Sequence, residues 1–574
     1  MASYKAPLRE IEFVLHEVLN VSQLSALPGF SEAGRDTVNG VIEEAARLIE
    51  EKIAPLNAKG DAQGCRWENG EVRLPDGYAE AYRLYRGGGW VGLSAAPDFG
   101  GQGLPYTLSK VVEEMLCSAN VGFALYPGLT SSCFEAIDAN GSEEQKRTWL
   151  PKLGSGEWTG TMCMTEPQAG SDLAAVKTRA IANGDGSFAI EGGKIFITSG
   201  EHRMADNIVH FVLARLTDSP AGIKGLSTFV VPKFLLKPDG SLGERNKVRC
   251  VSIEHKMGMH GSCTCTMSFE GARGWMVGAP NTGIQNMFVM MNLARIMVGF
   301  QGLGLCELAT QNAIRYAQER KQGKAANGRE TIIEHPDVRR MLLTMKALNE
   351  ASRVMAYETA IHIDLAAHHP DAAAREAARD WVDLTTPLVK AFITDSAVDL
   401  GSLAIQVYGG HGYIKEHGVE QIARDAKILC LYEGTNGIQA MDLVRRKLML
   451  HNGRLAKRFF ERVRKECSGD KPLMKAVDEL EATTKWLQES FKTSPDAAGM
   501  GAVDFLKAFS LTMFGYNWSR MTRAAAKSPD QGFRTAKLAT AEFFTTRLLP
   551  QVGALCVAVR APMGNLMKLE AANF

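Results

Sequence analysis

The sequence predicts an α+β multidomain protein: a helical N-terminal segment, a β domain, a helical bundle and a further set of C-terminal helices. Three observations carry this. Apolar residues at helical spacing dominate residues 1–158 and return from residue 280 onward. Residues 159–279 between them are short runs of β-branched and aromatic residues parted by turn signals. Strands and helices do not alternate, which excludes a βαβ layout. The boundaries read as 1–158, 159–279, 280–452 and 453–574.

Along the chain, EAGRDTVNGVIEEAARLIEEKIAPLN has the amphipathic period of a helix, with Pro55 near its end. The glycine-rich stretch GGGWVGLSAAPDFGGQGLP separates it from a second amphipathic run, LSKVVEEMLCSAN. TGTMCMTE, KTRAIANGDGSFAIEGGKIFITSG, NIVHFVLARL and GLSTFVVPKF read as strands, and Asn183-Gly184-Asp185-Gly186 as a hairpin turn. MNLARIMVGFQGLGLCELATQNAIRYAQER is a long apolar-striped helix ended by Gly323, and helices are expected over roughly 336–369, 372–408 and 437–450. PLMKAVDELEATTKWLQES and FRTAKLATAEFFTTRLLPQVGALCVAVR make the last block helical.

Composition narrows the functional classes. The 574 residues are 45% hydrophobic and 22% charged, ordinary for a globular protein with a large core. A formal net charge of +1 gives no electrostatic case for a nucleic-acid partner. The 11 cysteines lack paired spacing and no HExxH occurs, so reduced thiols, a cytoplasmic setting and no metal are expected. His368 and His369 read as a helix end. The N-terminus reads as no secretory signal, and no apolar stretch of about 18 residues suggests a membrane span.

Both common phosphate loops are missing. Gly302-Leu303-Gly304 lies mid-helix with Glu307 where a third glycine is needed, and Gly193-Lys194-Ile195 lacks the Walker spacing. Other segments carry the functional signal. CMTEPQAGSDLAAVKT runs a strand into a turn with hydroxyl and backbone donors, KIFITSG is a strand and its turn, and VYGGHGYI gathers small residues. Taken singly, each has a plainer role as a loop, a strand end or a helix cap. LCLYEGTNG sets one acid, Glu433, after an apolar run, where a charge must be paired or protonated.

Together these segments resemble the acyl-CoA dehydrogenase family, a set of FAD enzymes. Asp98-Phe99-Gly100-Gly101-Gln102-Gly103, MTEPQAGSD, KIFITSG, YAQERKQG, QVYGGHGY and YEGTNGIQ are similar to family elements and stand in the family's order. The resemblance implies a central β-barrel domain and a C-terminal four-helix bundle. It implies α,β-dehydrogenation of an acyl-CoA to the trans-2-enoyl-CoA, with Glu433 as the base that takes the α-proton. Gly434 would leave room for the substrate, and the Glu433 backbone N–H would hold the thioester oxygen. Asn292, Arg295 and Ser171 would contact the substrate. Some family members carry the base on the long helix, where this chain has Ala294. Met162, Met164, Thr165 and Ser171 would line one side of the flavin, and Phe196 and Thr198 the other. Arg320, Gln322, Gln406, Gly409 and Gly410 would hold the FAD tail of a neighbouring subunit, with Thr435 near the adenosine–phosphate part. A homodimer or dimer of dimers follows, with electron-transferring flavoprotein as acceptor.

The departures are local. Phe196 stands for the family's tryptophan, Gly437 for a common glutamine and His335-Pro336 for a His-Gln pair, and KAANGRETI is inserted after Arg320. The added terminal helices resemble a larger bacterial subgroup that includes 3-methylmercaptopropionyl-CoA and long-chain acyl-CoA dehydrogenases. The alternatives are an acyl-CoA oxidase using O2 and a non-catalytic flavoprotein that binds DNA or assists an assembly. Retention of Glu433 and the mixed charge of the last block favour catalysis.

Overall fold

The computed structural model describes residues 2–493, 499–562 and 564–574. The chain divides into two compact units, Ile42–Met297 and Met1–Val41 with Val298–Phe574. It is a mixed α+β protein with helical N- and C-terminal parts and a central sheet.

The unit Ile42–Met297 opens with helices, of which the longest, Tyr106–Asn140, breaks at Asn120 (φ −163°, ψ 87°). The helix Glu143–Gly154 starts at a reciprocal cap in which Ser142 and Gln145 satisfy each other's backbone N–H groups. A small hairpin pairs β1 (Arg66–Glu68) with β2 (Glu71–Arg73). The central sheet holds β3 (Trp158–Cys163), β4 (Arg179–Ala182), β5 (Phe188–Thr198), β6 (Asn207–Leu216) and β7 (Leu226–Pro232). After a second hairpin of β8 (Phe234–Leu236) and β9 (Leu242–Arg245), β10 (Val248–Ile253) and β11 (Thr264–Val277) complete it. The pairing order is β10-β11-β5-β4-β6-β3, and β7 pairs with both β11 and β6. β4 and β5 form the hairpin expected at Asn183–Gly186, with Gly184 and Gly186 at φ +84° and +85°. β6 runs parallel to β3 and β4, a mixed sheet that segment composition alone does not disclose. One core face gathers Trp149, Trp158, Phe211, Val230, Met287 and Met290.

In the second unit, Pro336–His368 and Ala372–Tyr408 are long helices, ending where His368 and Tyr408 were expected to end them. Gly299 and Gly302 lie on Gly283–Glu319 at its crossing with Ala372–Tyr408. A Cβ on Gly299 would stand 2.3 Å from Val389 Cγ1, and one on Gly302 would stand 3.2 Å from the Ile393 backbone. Gly302 therefore serves a close helix crossing, and Glu307 pairs with buried Arg353 at 2.7 Å. The final block is helical, but 533–560 splits at Pro550 into Gln531–Phe543 and Gln551–Val559 because proline cannot supply the next helical N–H.

Gly283–Glu319 bears on the expectation of no membrane span. By length and composition it is apolar enough to cross a membrane, with a mean hydropathy of 1.4 over 18 residues, yet 72% of that window is buried inside the protein. The apolarity belongs to a core helix. All 11 cysteines are free thiols, and among the described residues no cluster of ligands suits a metal ion.

Buried ion pairs fasten the last block to the bundle. Arg520 donates to Glu358 at 2.9 Å, Arg462 donates to the same carboxylate at 2.7 Å, and Lys537 reaches Glu350 at 2.7 Å. Burial alone would raise the Glu358 carboxyl, but Arg520 and Arg462 outweigh it and hold the group at about 2. With an unfolded value near 4.5, the pair stabilises the fold fully above that pH and loses its contribution as pH falls toward 2. The urea midpoint should therefore be level above about pH 5 and fall steadily toward pH 2. Arg520→Ala leaves the buried Glu358 carboxylate with Arg462 as its remaining arginine partner and should destabilise the fold at neutral pH by less than the about 3–5 kcal/mol of a fully unpaired buried charge, read in the same titration.

Candidate active site

The unit Ile42–Met297 brings together eight of the residues singled out in the sequence. β3 delivers Met162, then Met164 and Thr165, all half-buried, into the turn that carries exposed Ser171. The turn is held by Glu166 and Ala169, whose backbones bond both ways at 3.0 and 2.9 Å. Phe196 and Thr198 close β5, and Ile195 N–H donates to Thr165 O at 2.9 Å, setting the two segments side by side. The β5–β11 register shifts at this point, with Cys265 opposite Ile197 and Met267 opposite Lys194. Phe196 sits in that bulge at φ +59° and is 59% exposed. A bulky residue in the left-handed region is strained, and a bulge re-aims its side chain. Here it displays an aromatic face. Met162, Met164 and Met291 pack on one apolar cluster with Met290 and Met297. Asn292 is exposed one position on, and buried Arg295 donates to its Oδ1 at 3.4 Å.

Sequence reasoning passed over the pair that fixes this edge. Glu166 is 3% and Lys194 0% exposed, and Lys194 Nζ donates to Glu166 Oε1 at 2.8 Å and to Met164 O at 3.0 Å. Glu166 also accepts from Lys177 N–H, Thr178 N–H and Thr178 Oγ1 at 2.8, 3.0 and 2.6 Å. Burial pushes the Glu166 carboxyl up, but Lys194 and these donors bring it down to about 2. The available signal was a lysine inside an apolar strand, which must find an acid.

The second unit holds the other eight. Arg320, Gln322, Gln406, Gly409 and Gly410 are all exposed. Tyr316 stacks on Tyr408 at 4.0 Å between ring centres, and its hydroxyl meets His411 Nδ1 at 2.8 Å. These contacts bring the Arg320 segment to the Gln406–Gly410 segment. Gly409 ends its helix at φ +61° and ψ −140°, a conformation that only glycine adopts readily. The KAANGRETI insert folds on itself, Lys321 bridging to Thr331 and Gln322 N–H donating to Glu330 O at 2.9 Å.

Glu433 is half-buried, and it and Gly434 are consecutive left-handed residues at φ +57° and +84°. Thr435 then caps the helix Asn436–Asp442, accepting from Ile438 N–H at 3.2 Å. Buried Gln439 donates to Glu433 O at 3.2 Å, and Tyr432 donates to buried Gln301.

Family models match four successive stretches. They are those for the acyl-CoA dehydrogenase N-terminal domain over 36–157, middle domain over 161–272 and C-terminal domain over 281–448, and for an acetyl-CoA dehydrogenase C-terminal-like domain over 459–570. The chain is 42% identical to the 3-methylmercaptopropionyl-CoA dehydrogenase of Ruegeria pomeroyi over 96% of its own length and 97% of the relative's. It belongs to the acyl-CoA dehydrogenase family. The broad-specificity linear acyl-CoA dehydrogenase FadE5 of Mycobacterium tuberculosis is 32% identical with both chains fully covered. An acyl-CoA dehydrogenase of Bacillus anthracis solved with FAD shares the fold, with a TM-score of 0.76 at 21% identity over 95% of this chain and 92% of that one.

As a member of the acyl-CoA dehydrogenase family the protein is an FAD-dependent oxidoreductase acting on acyl-CoA. The residues present fit FAD. An exposed aromatic face beside half-buried methionines and hydroxyls suits a planar ring with a polar edge. Exposed Arg320 and Gln406 beside a glycine turn suit a diphosphate. Lys194→Met should leave Glu166 buried without its cation, costing about 3–5 kcal/mol in urea unfolding. Because Lys194 also holds Met164 O, the variant should release FAD more readily, read by fluorescence of the filtrate after dilution.

Proposed function

We propose that Glu433 is the base of the dehydrogenation, on the strength of its half-buried carboxylate and left-handed backbone at the turn the family resemblance singles out. The α-proton of a thioester is weakly acidic, so its removal needs a positioned base and a stabilised enolate. Glu433 takes the proton, and the electron pair left on the α-carbon spreads onto the thioester oxygen, toward which the Glu433 backbone N–H serves as donor. FAD, when bound, supplies the acceptor for the hydride that leaves the β-carbon. Ala294, at the alternative family position for a base, is fully buried and has no proton-accepting group.

Asn292, Arg295, Ser171 and Gly434 are the substrate contacts in this reading. Met162, Met164, Thr165, Phe196 and Thr198 hold the flavin ring, and Arg320, Gln322, Gln406, Gly409, Gly410 and Thr435 hold its tail. Exposure of the five tail residues, Arg320 to Gly410, together with Tyr413 at 86%, supports a homodimer or dimer of dimers. The ring of pairings β11-β5-β4-β6-β7-β11 supports a barrel, and the four matched stretches support the division at 158, 279 and 452. The substrate we favour is 3-methylmercaptopropionyl-CoA, on the 42% identity to a dehydrogenase so named. Fatty acyl-CoAs of other lengths are the alternatives. A cytoplasmic location and electron-transferring flavoprotein as acceptor complete the reading.

Glu433→Gln should keep FAD and the fold and lose at least about 100-fold in turnover, the low end for removing a general base. Anaerobic titration with 3-methylmercaptopropionyl-CoA and a chain-length series should bleach the flavin absorbance of the wild type. Reoxidation by air at the rate of turnover would favour the oxidase that exposed Phe196 keeps in view. Sedimentation of the FAD-loaded protein should give a dimer or tetramer, and a fully flavinated monomer would contradict the shared tail site.

A further inference from the structure

The Glu433–Gly434 turn needs an external hold. Left-handed backbone is costly for glutamate, so the turn persists only where its surroundings over-determine it. The densest contact nearby comes from Asn436. Its Oδ1 accepts from Lys390 Nζ at 2.8 Å, and its Nδ2 lies 3.1 Å from Ala391 O, 2.9 Å from Thr394 Oγ1 and 2.8 Å from Asp395 Oδ1. Thr394 Oγ1 donates to Lys390 O at 2.8 Å, so toward Asn436 it acts as an acceptor. Lys390 is fully buried. The amide thus has one orientation: its oxygen faces an ammonium, and its NH2 faces three acceptors, one a carboxylate. One side chain pins the first residue of the helix Asn436–Asp442 to four residues on two adjoining turns of Ala372–Tyr408, Lys390, Ala391, Thr394 and Asp395.

We propose that Asn436, held between Lys390 and Asp395, is a positioning residue that fixes the Glu433 carboxylate for α-proton abstraction. The proposal rests on Glu433 being the base. Asn436 acts through the backbone: it fixes the helix start, Thr435 caps that start, and Gln439, one turn on, holds Glu433 O. Proton transfer requires hydrogen-bond reach, and a shift of about 1 Å costs up to 100-fold.

The test uses Asn436→Asp in the full-length, FAD-loaded protein. Its shape is the same and the Lys390 contact survives, but a carboxylate oxygen now faces Ala391 O and Asp395. Turnover should fall at least about 10-fold with KM within about threefold, the mark of an interaction needed only in the transition state. The kinetic isotope effect for substrate deuterated at the α-carbon should rise, because proton abstraction becomes slower relative to other steps. A merely structural role would lower FAD content and melting temperature together and leave that isotope effect unchanged. Asn436→Ser, which keeps a small polar group without the two N–H donors of the amide, decides the matter if the aspartate variant does not load FAD. The proposal is overturned if both variants match wild type in turnover and α-isotope effect while Glu433→Gln is inactive. An active Glu433→Gln would instead remove the base assignment itself, and this inference with it.

Discussion

The close crossing at Gly299 and Gly302 is the constraint from which the second unit's site follows. Without side chains at those points, Ala372–Tyr408 approaches to backbone contact at Val389, Ile393 and Thr394. The next residues along that helix are Lys390 and Asp395, which grip Asn436 and with it the turn bearing Glu433. The same helix ends in Gly409 and Gly410. Gly302, which reads as part of a failed phosphate loop in the sequence, is together with Gly299 a spacer that sets the depth of the whole arrangement.

Two strained residues stand where chemistry is expected. Phe196 and Glu433 both have positive φ, and each is braced by a buried polar group nearby. Beside Phe196 the brace is Lys194 with Glu166, and after Glu433 it is Gln439 with Asn436. Rigid support is what keeps a base or an aromatic face aimed without the entropy cost of ordering it at each turnover.

The sequence made the secondary-structure texture plain because period and turn chemistry are local: the Asn183–Gly186 hairpin, the ends at His368 and Tyr408 and the helical last block all rest on neighbours in the chain. The split at Pro550 was legible too, had the proline been given its full weight. Parallel pairing of β6 with β3 and β4 was not legible, since register is set by partners far along the chain. At the site, the resemblance located the segments but gave no partners. Glu166 and Lys194 stand 28 positions apart, and Lys390 and Asn436 stand 46 apart. Only folding shows which buried charge meets which acceptor.

The ion pairs between the bundle and the last helical block also bear on how such a chain evolves. Once Glu358 and Glu350 had come to lie buried against Arg520 and Lys537, the block ceased to be an optional appendage. A lineage that lost Arg520 or Lys537 alone, with the block still packed, would leave a carboxylate short of a cation in a buried setting, and that carboxylate would first need replacement by a neutral side chain. No single substitution reverses that dependence, because each partner changed alone is worse than both kept. The block is entrenched by electrostatics, whatever first recruited it.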